Sequence, residues 1–118
     1  MKLLKCKICG TKVIVLEGGN NIICCGEQMM EVKPNSVDAA IEKHVPEYTI
    51  DGDNMIVTVN HVMEDDHYIE WILLETEKGI EKVDFKPGDK PETTFKYVPG
   101  STLYAYCNKH SLWKKEVK

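Results

Sequence analysis

At 118 residues, with 42% hydrophobic and 29% charged side chains, the chain is long enough for one ordinary folded domain plus a very small appendage, and too apolar to be disordered. A formal net charge of -4 argues against nucleic-acid binding, which needs a basic face to neutralise phosphates. No apolar run approaches the length of a membrane span, and Met1 to Cys6 lacks the apolar stretch of a secretory signal, so the sequence reads as that of a cytoplasmic protein with no membrane partner.

In a reducing compartment clustered thiols are metal ligands by default rather than disulfides. Four of the five cysteines, Cys6, Cys9, Cys24 and Cys25, lie in the first 25 residues. Between them the chain reads as a metal-knotted hairpin: a Cys-x-x-Cys turn, a strand over Lys12 to Glu17, a turn at Gly18-Gly19-Asn20-Asn21, and Ile22-Ile23 leading into Cys24-Cys25-Gly26. A module of residues 1–35 cannot bury enough apolar surface to fold alone, so its thiolates should hold it together. Four soft sulfurs suit a tetrahedral site and leave iron and zinc both open. A disulfide between the adjacent Cys24 and Cys25 would close a strained ring.

Pro34-Asn35-Ser36 reads as a linker. Residues 36–118 then form a second domain in which strand-forming runs are separated by Asp51-Gly52-Asp53-Asn54, Pro87-Gly88-Asp89 and Pro99-Gly100-Ser101. The pattern predicts an immunoglobulin-like β-sandwich and hence a mainly β protein. Only Val37 to Lys43 offers a helical turn before Pro46. A hairpin of Ile56–Met63 and His67–Glu75, closing around Glu64-Asp65-Asp66, would bring His61 and His67 together. Alternation places His67, Ile69, Trp71 and Leu73 on one face of the second strand.

Near the C-terminus a strand over Thr102 to Cys107 delivers the last thiol, with His110 three residues on. His44, His61, His67 and His110 are all the histidines of the chain. Singly, each is ordinarily a core or rim histidine, and a lone buried cysteine is ordinarily inert. Jointly, four imidazoles and one thiolate at strand ends and turns suit a transition metal such as iron, with one position of an octahedral shell left open. A β-sandwich with an upstream His and a Cys-loop-His also describes a copper electron carrier. Such a site needs a weak axial Met, for which Met63 is the candidate because Ser111-Leu112-Trp113 follows His110. A non-catalytic electron carrier and a metal-dependent sensor or binding module are the alternatives to an enzyme.

Taken together, Cys6-x-x-Cys9, Cys24-Cys25-Gly26-Glu27, Glu42-Lys43-His44-Val45-Pro46, His61-Val62-Met63, His67-Tyr68-Ile69-Glu70-Trp71-Ile72 and Cys107-Asn108-Lys109-His110-Ser111-Leu112-Trp113 resemble the desulfoferrodoxins, two-iron superoxide reductases. The resemblance spans nearly the whole chain. It implies a desulforedoxin-like iron on Cys6, Cys9, Cys24 and Cys25, and a second iron with His44, His61, His67 and His110 equatorial and Cys107 axial. Glu42 and Lys43 match the pair that flanks the open coordination position. The implied activity is one-electron reduction of superoxide to hydrogen peroxide, with re-reduction by rubredoxin or a similar small donor, in a homodimer. Three features depart from the family pattern: Val62 in place of a usual proline, Ser111 in place of a usual glycine, and a short gap between Cys9 and Cys24. They bear on loop geometry and remove no ligand.

Overall fold

The computed structural model describes residues 1–19 and 21–118, which divide into two compact units, Met1–Lys33 and Pro34–Lys118. In the first unit, β1 (Lys2–Lys5) runs antiparallel between β2 (Lys12–Val15) and β5 (Met30–Glu31). A separate small hairpin joins β3 (Ile23–Cys24) to β4 (Glu27–Gln28). The anticipated pairing of Lys12–Glu17 with Ile22–Ile23 is therefore replaced: β2 folds back on β1 across the Cys6–Cys9 turn, and β3 folds forward on β4. The anticipated turn at Gly18-Gly19-Asn20-Asn21 includes Asn20, which lies outside the described residues.

Among the described residues the buried apolar side chains of this unit are Leu3, Leu4, Cys6 and Met29, the last three in one cluster with Val13, Val15, Ile22 and Cys24 packed against it. So small a core cannot offset the conformational entropy of some thirty ordered residues, each costing about 1–2 kcal/mol of backbone entropy alone. The four sulfurs must supply the rest.

The second unit begins with a single 3-10 turn, Ile41–Lys43, and is otherwise a two-sheet sandwich. One sheet has β7 (Asn54–Thr58) between β6 (Glu47–Asp51) and β10 (Glu92–Lys96). The other has the order β12 (Ser111–Glu116), β11 (Thr102–Cys107), β8 (Ile69–Thr76), β9 (Gly79–Asp84). Period-two alternation explains the core between them: Met55 and Val57 from β7, Ile72 and Leu74 from β8, and Leu103, Ala105 and Cys107 from β11 all point inward. Truncating one of them, such as Ile72, to alanine should cost about 2–5 kcal/mol. Asn35 belongs to this unit rather than to a free linker, because its N–H donates to the Leu112 carbonyl and its side-chain oxygen accepts from Lys114 N–H, both at 2.9 Å.

Two local expectations are corrected. The strands of the anticipated His61/His67 hairpin pair with other partners, β7 with β6 and β10, β8 with β9 and β11. Both have fully apolar inner faces, so they oppose each other across the core, and residues 59–68 cross from sheet to sheet. Only the turn itself survives, as a narrow bridge in which Glu64 N–H donates to the His67 carbonyl at 2.9 Å. The second correction concerns the face of β8. Tyr106 pairs with Trp71 but Cys107 with Ile69, so Glu70 is an extra residue on β8, a bulge. Trp71, stacked on Tyr106 at 5.5 Å between centroids, therefore lies on the outer face, while Ile69 returns to the core and His67 follows it inward.

Candidate metal centres

In the first unit, the Cys6 turn is shaped by backbone geometry. Cys6 N–H donates to the Thr11 carbonyl, Gly10 N–H donates to the Cys6 carbonyl, and Gly10 takes φ +78°. That wrap aims the N–H groups of Ile8 (3.4 Å) and Cys9 (3.5 Å) at the Cys6 sulfur. Opposite it, Cys25 and Gly26 are the two central residues of the β3–β4 hairpin, with φ of +53° and +78°. Both lie in the left-handed region, the pattern of a type I′ turn, which turns two adjacent cysteines to a common point.

The four sulfurs lie within 4.8 Å of one another, with Cys9 and Cys24 at 3.6 Å and Cys24 and Cys25 at 4.0 Å. All four cysteines are free thiols. A disulfide needs about 2.05 Å. Four thiolates on a tetrahedral ion, each at about 2.3 Å, would be about 3.8 Å apart, so the spacing fits a metal of that class.

The electrostatics agree. Cys9 is pulled down to about 6 by the Thr11 hydroxyl, 3.0 Å from its sulfur, and Cys6 is lowered by the Cys9 N–H. Cys24, crowded by Cys6 and then Cys9, is pushed up to about 12, and Cys25 is raised chiefly by Cys9. Four thiolates cannot coexist here without a cation among them.

The second group is assembled by four segments of the sandwich. His44 ends the 3-10 turn, His61 and His67 stand in the crossing segment, and Cys107 and His110 flank the β11–β12 turn. Their donor atoms also lie within 4.8 Å of one another. Hydrogen bonds select which ring nitrogen faces inward. His44 Nδ1 donates to the Ala40 carbonyl at 2.7 Å and His61 Nδ1 to the Val62 carbonyl at 2.5 Å, which leaves Nε2 of each for the centre. His110 instead presents Nδ1, 3.1 Å from His44 Nε2 and 3.9 Å from the Cys107 sulfur, while His61 Nε2 is 3.3 Å from that sulfur.

His67 Nε2 is buried with no hydrogen-bond partner, and His67 is a member of this group. An orphaned buried ring nitrogen is costly unless something else occupies it. Neighbouring ligands at right angles on a first-row metal, each at about 2.1 Å, would be about 3 Å apart, which matches the separations seen. The donor set fits a transition-metal ion.

Burial lowers the pKa of His44 and His61, the carbonyl acceptors partly opposing it, so both rings favour the neutral form a metal requires. Burial pushes the Cys107 thiol up, against the pull of the Lys109 and His110 N–H groups. Trp113, which sequence reasoning left without a role, stacks on His44 at 4.9 Å and donates its indole N–H to the His110 carbonyl at 2.9 Å. The Ala40 and Val62 acceptors carry no sequence signal either, because any residue offers a carbonyl.

Glu42 and Lys43 lie exposed on the 3-10 turn, and the Glu42 carboxylate is not one of the clustered donors. The Met63 sulfur accepts the Ile69 N–H at 3.4 Å, and Met63 packs on the core. The sulfur that a blue-copper reading would need as a weak axial ligand is thus already engaged with β8.

A family model described as Desulfoferrodoxin matches residues 36–116. A desulfoferrodoxin of Clostridium acetobutylicum is 43% identical over 112 residues, 92% of this chain and 90% of its own length. Another, of Nitratidesulfovibrio vulgaris, is 43% identical over 121 residues, 98% of this chain and 95% of its own. Among solved structures, the superoxide reductase from Treponema pallidum is similar with a TM-score of 0.73 at 30% identity, over 96% of this chain and 98% of that one.

Proposed function

The chain belongs to the desulfoferrodoxin family, and from that premise we propose that it is a superoxide reductase, an oxidoreductase that converts superoxide to hydrogen peroxide. The observation that carries the reading is the convergence of His44, His61, His67, His110 and Cys107, with His67 Nε2 buried and without a hydrogen-bond partner. We assign these five residues as ligands of a catalytic iron, and Cys6, Cys9, Cys24 and Cys25 as ligands of a second iron, a position zinc would also satisfy. Met1–Lys33 then form a desulforedoxin-like module and Pro34–Lys118 the reductase domain.

Ferrous iron on the His/Cys group would supply a single electron and a free coordination position for a small anion. The net reaction consumes one superoxide, one electron and two protons per hydrogen peroxide, with the protons drawn from water. The chain's own residues set the conditions. The Ala40 and Val62 carbonyls hold His44 and His61 in the tautomer with Nε2 free. His110 N–H donates to the Cys107 sulfur at 3.4 Å, which tempers the charge of its thiolate. Lys43 offers local positive potential to an anionic substrate on a protein of net charge -4. We assign to Glu42, beside it on the same turn, the role of a carboxylate that would cover an open position on that iron.

The electron must come from an external donor, for which a small carrier such as rubredoxin is our assignment on family resemblance. Cytoplasmic residence and a homodimer are proposed on the same ground. Among the described residues no helix is long and apolar enough to cross a membrane.

Cys107→Ser tests the reading. The iron-loaded wild-type protein should show a sulfur-to-iron charge-transfer band in the red when oxidised, separate from the thiolate bands of the first centre. In the variant that band should vanish and superoxide reduction should fall steeply, with the first centre's absorption unchanged. An unaltered spectrum and rate would reject the assignment.

A further inference from the structure

The β8–β11 ladder ends at the Cys107–Ile69 pair, just past the Glu70 bulge. The metal-facing residues of both strands lie at or beyond that end, where regular main-chain pairing no longer holds the two segments at a set distance. What joins them there is Asn108. Its Oδ1 accepts the Tyr68 N–H at 3.0 Å, its Nδ2 donates to the Asp66 carbonyl at 2.9 Å, and its own N–H donates to the Tyr68 carbonyl at 3.2 Å. A side-chain carboxamide thus stands in for the missing strand, with one acceptor and one donor on either side of His67.

We infer that Asn108 is a positioning residue, whose carboxamide fixes the separation between Cys107 and His67 without itself touching the metal. The inference rests on the reading of the His/Cys group as an iron site. Its physical basis is that Cys107 and His110 come from one turn and His67 from another, so donor spacing depends on whatever couples the two turns. Of the other contacts between the two turns, Lys109 to Asp66 at 3.7 Å joins side chains that are 51% and 80% exposed and contributes little, and the His67 and His110 rings meet only edge-on, 5.2 Å between centroids. The carboxamide bonds are directional and lie directly beside a ligand, so they govern orientation as well as distance.

The experiment compares wild type, Asn108→Ala and Asn108→Asp, each loaded with ferrous iron and then oxidised. Asn108→Ala removes both side-chain bonds, whereas Asn108→Asp keeps an acceptor for Tyr68 N–H and loses the donor to Asp66. Two quantities are read: the position of the sulfur-to-iron band, and the rate at which EDTA removes iron from the His/Cys site. Loss of a supporting contact of this kind typically lowers metal affinity 10–100-fold. Iron loss should therefore accelerate by about tenfold or more in Asn108→Ala, and measurably in Asn108→Asp, with the band displaced in both. The absorption of the first centre should be unchanged, which separates the effect from general destabilisation. If Asn108→Ala does not fold, Asn108→Asp decides the matter. Both variants, or the one that folds, showing the wild-type band and the wild-type rate of iron loss would overturn the clamp while leaving the iron site intact. A wild-type protein with no such band would overturn the iron site, and the clamp with it.

Discussion

Ser111 closes the three-residue turn between Cys107 and β12 with φ +69°, in the left-handed region that favours glycine. The sequence pattern already marked this position, since the family usually has glycine there, and the backbone supplies the reason. An L-residue at such an angle costs about 1–2 kcal/mol, partly offset because glycine loses more entropy on folding. Ser111→Gly should therefore stabilise the second unit by about 0.5–1 kcal/mol, read as a higher urea midpoint with an unchanged slope. A lower midpoint would mean that the serine makes a compensating contact. Cys25, at φ +53°, bears similar strain but cannot be relieved in the same way, because its thiol belongs to the first centre.

At the scale of elements, β11 behaved as its alternation predicts, over the anticipated Thr102–Cys107. Its outward Tyr104 is buried and hydrogen-bonded to Glu75, and burial followed by the Glu75 charge raises its pKa to about 12. The folded value lies above the ordinary value of about 10, so its contribution to stability is whole below pH 10 and is lost as pH rises towards 12. Denaturation midpoints measured from pH 9.5 to 11.5 should fall less steeply in Tyr104→Phe than in wild type. Parallel slopes would show that Tyr104 does not carry the alkaline loss. The first unit makes a different point about elements: with so few buried apolar side chains among its described residues, its strands depend on the thiolates. Cys9→Ser should abolish the first centre's metal and the local order of residues 1–33, while iron remains at the His/Cys site. Metal analysis and hydrogen exchange check it, and equal loss from both sites would refute the independence of the two units.

For the molecule as a whole, a net charge of -4 repels superoxide, and the approach must be favoured locally. Lys43 is exposed on the turn that carries His44, so Lys43→Ala should slow encounter roughly tenfold at low ionic strength, with the difference shrinking as salt rises. Glu42→Ala should leave that first step nearly intact. Pulse-generated superoxide at several salt concentrations gives the rates, and a wild-type encounter rate independent of salt would remove the steering role.

Composition and spacing were enough to read a mainly β chain, a cysteine-dependent first segment and two groups of candidate ligands, because residue type, strand period and turn chemistry are local properties carried by neighbours in sequence. They also read Thr102–Cys107 correctly, since that strand alternates without interruption. They misplaced the partners of β7 and β8 and the face of Trp71, because sheet pairing is a long-range choice and a one-residue bulge at Glu70 inverts every side chain beyond it. The tertiary structure alone decided which histidine nitrogen faces the centre, through the Ala40 and Val62 carbonyls, and which main-chain groups the Asn108 carboxamide meets. Backbone carbonyls are common to every residue, so their placement has no signature until the chain has folded.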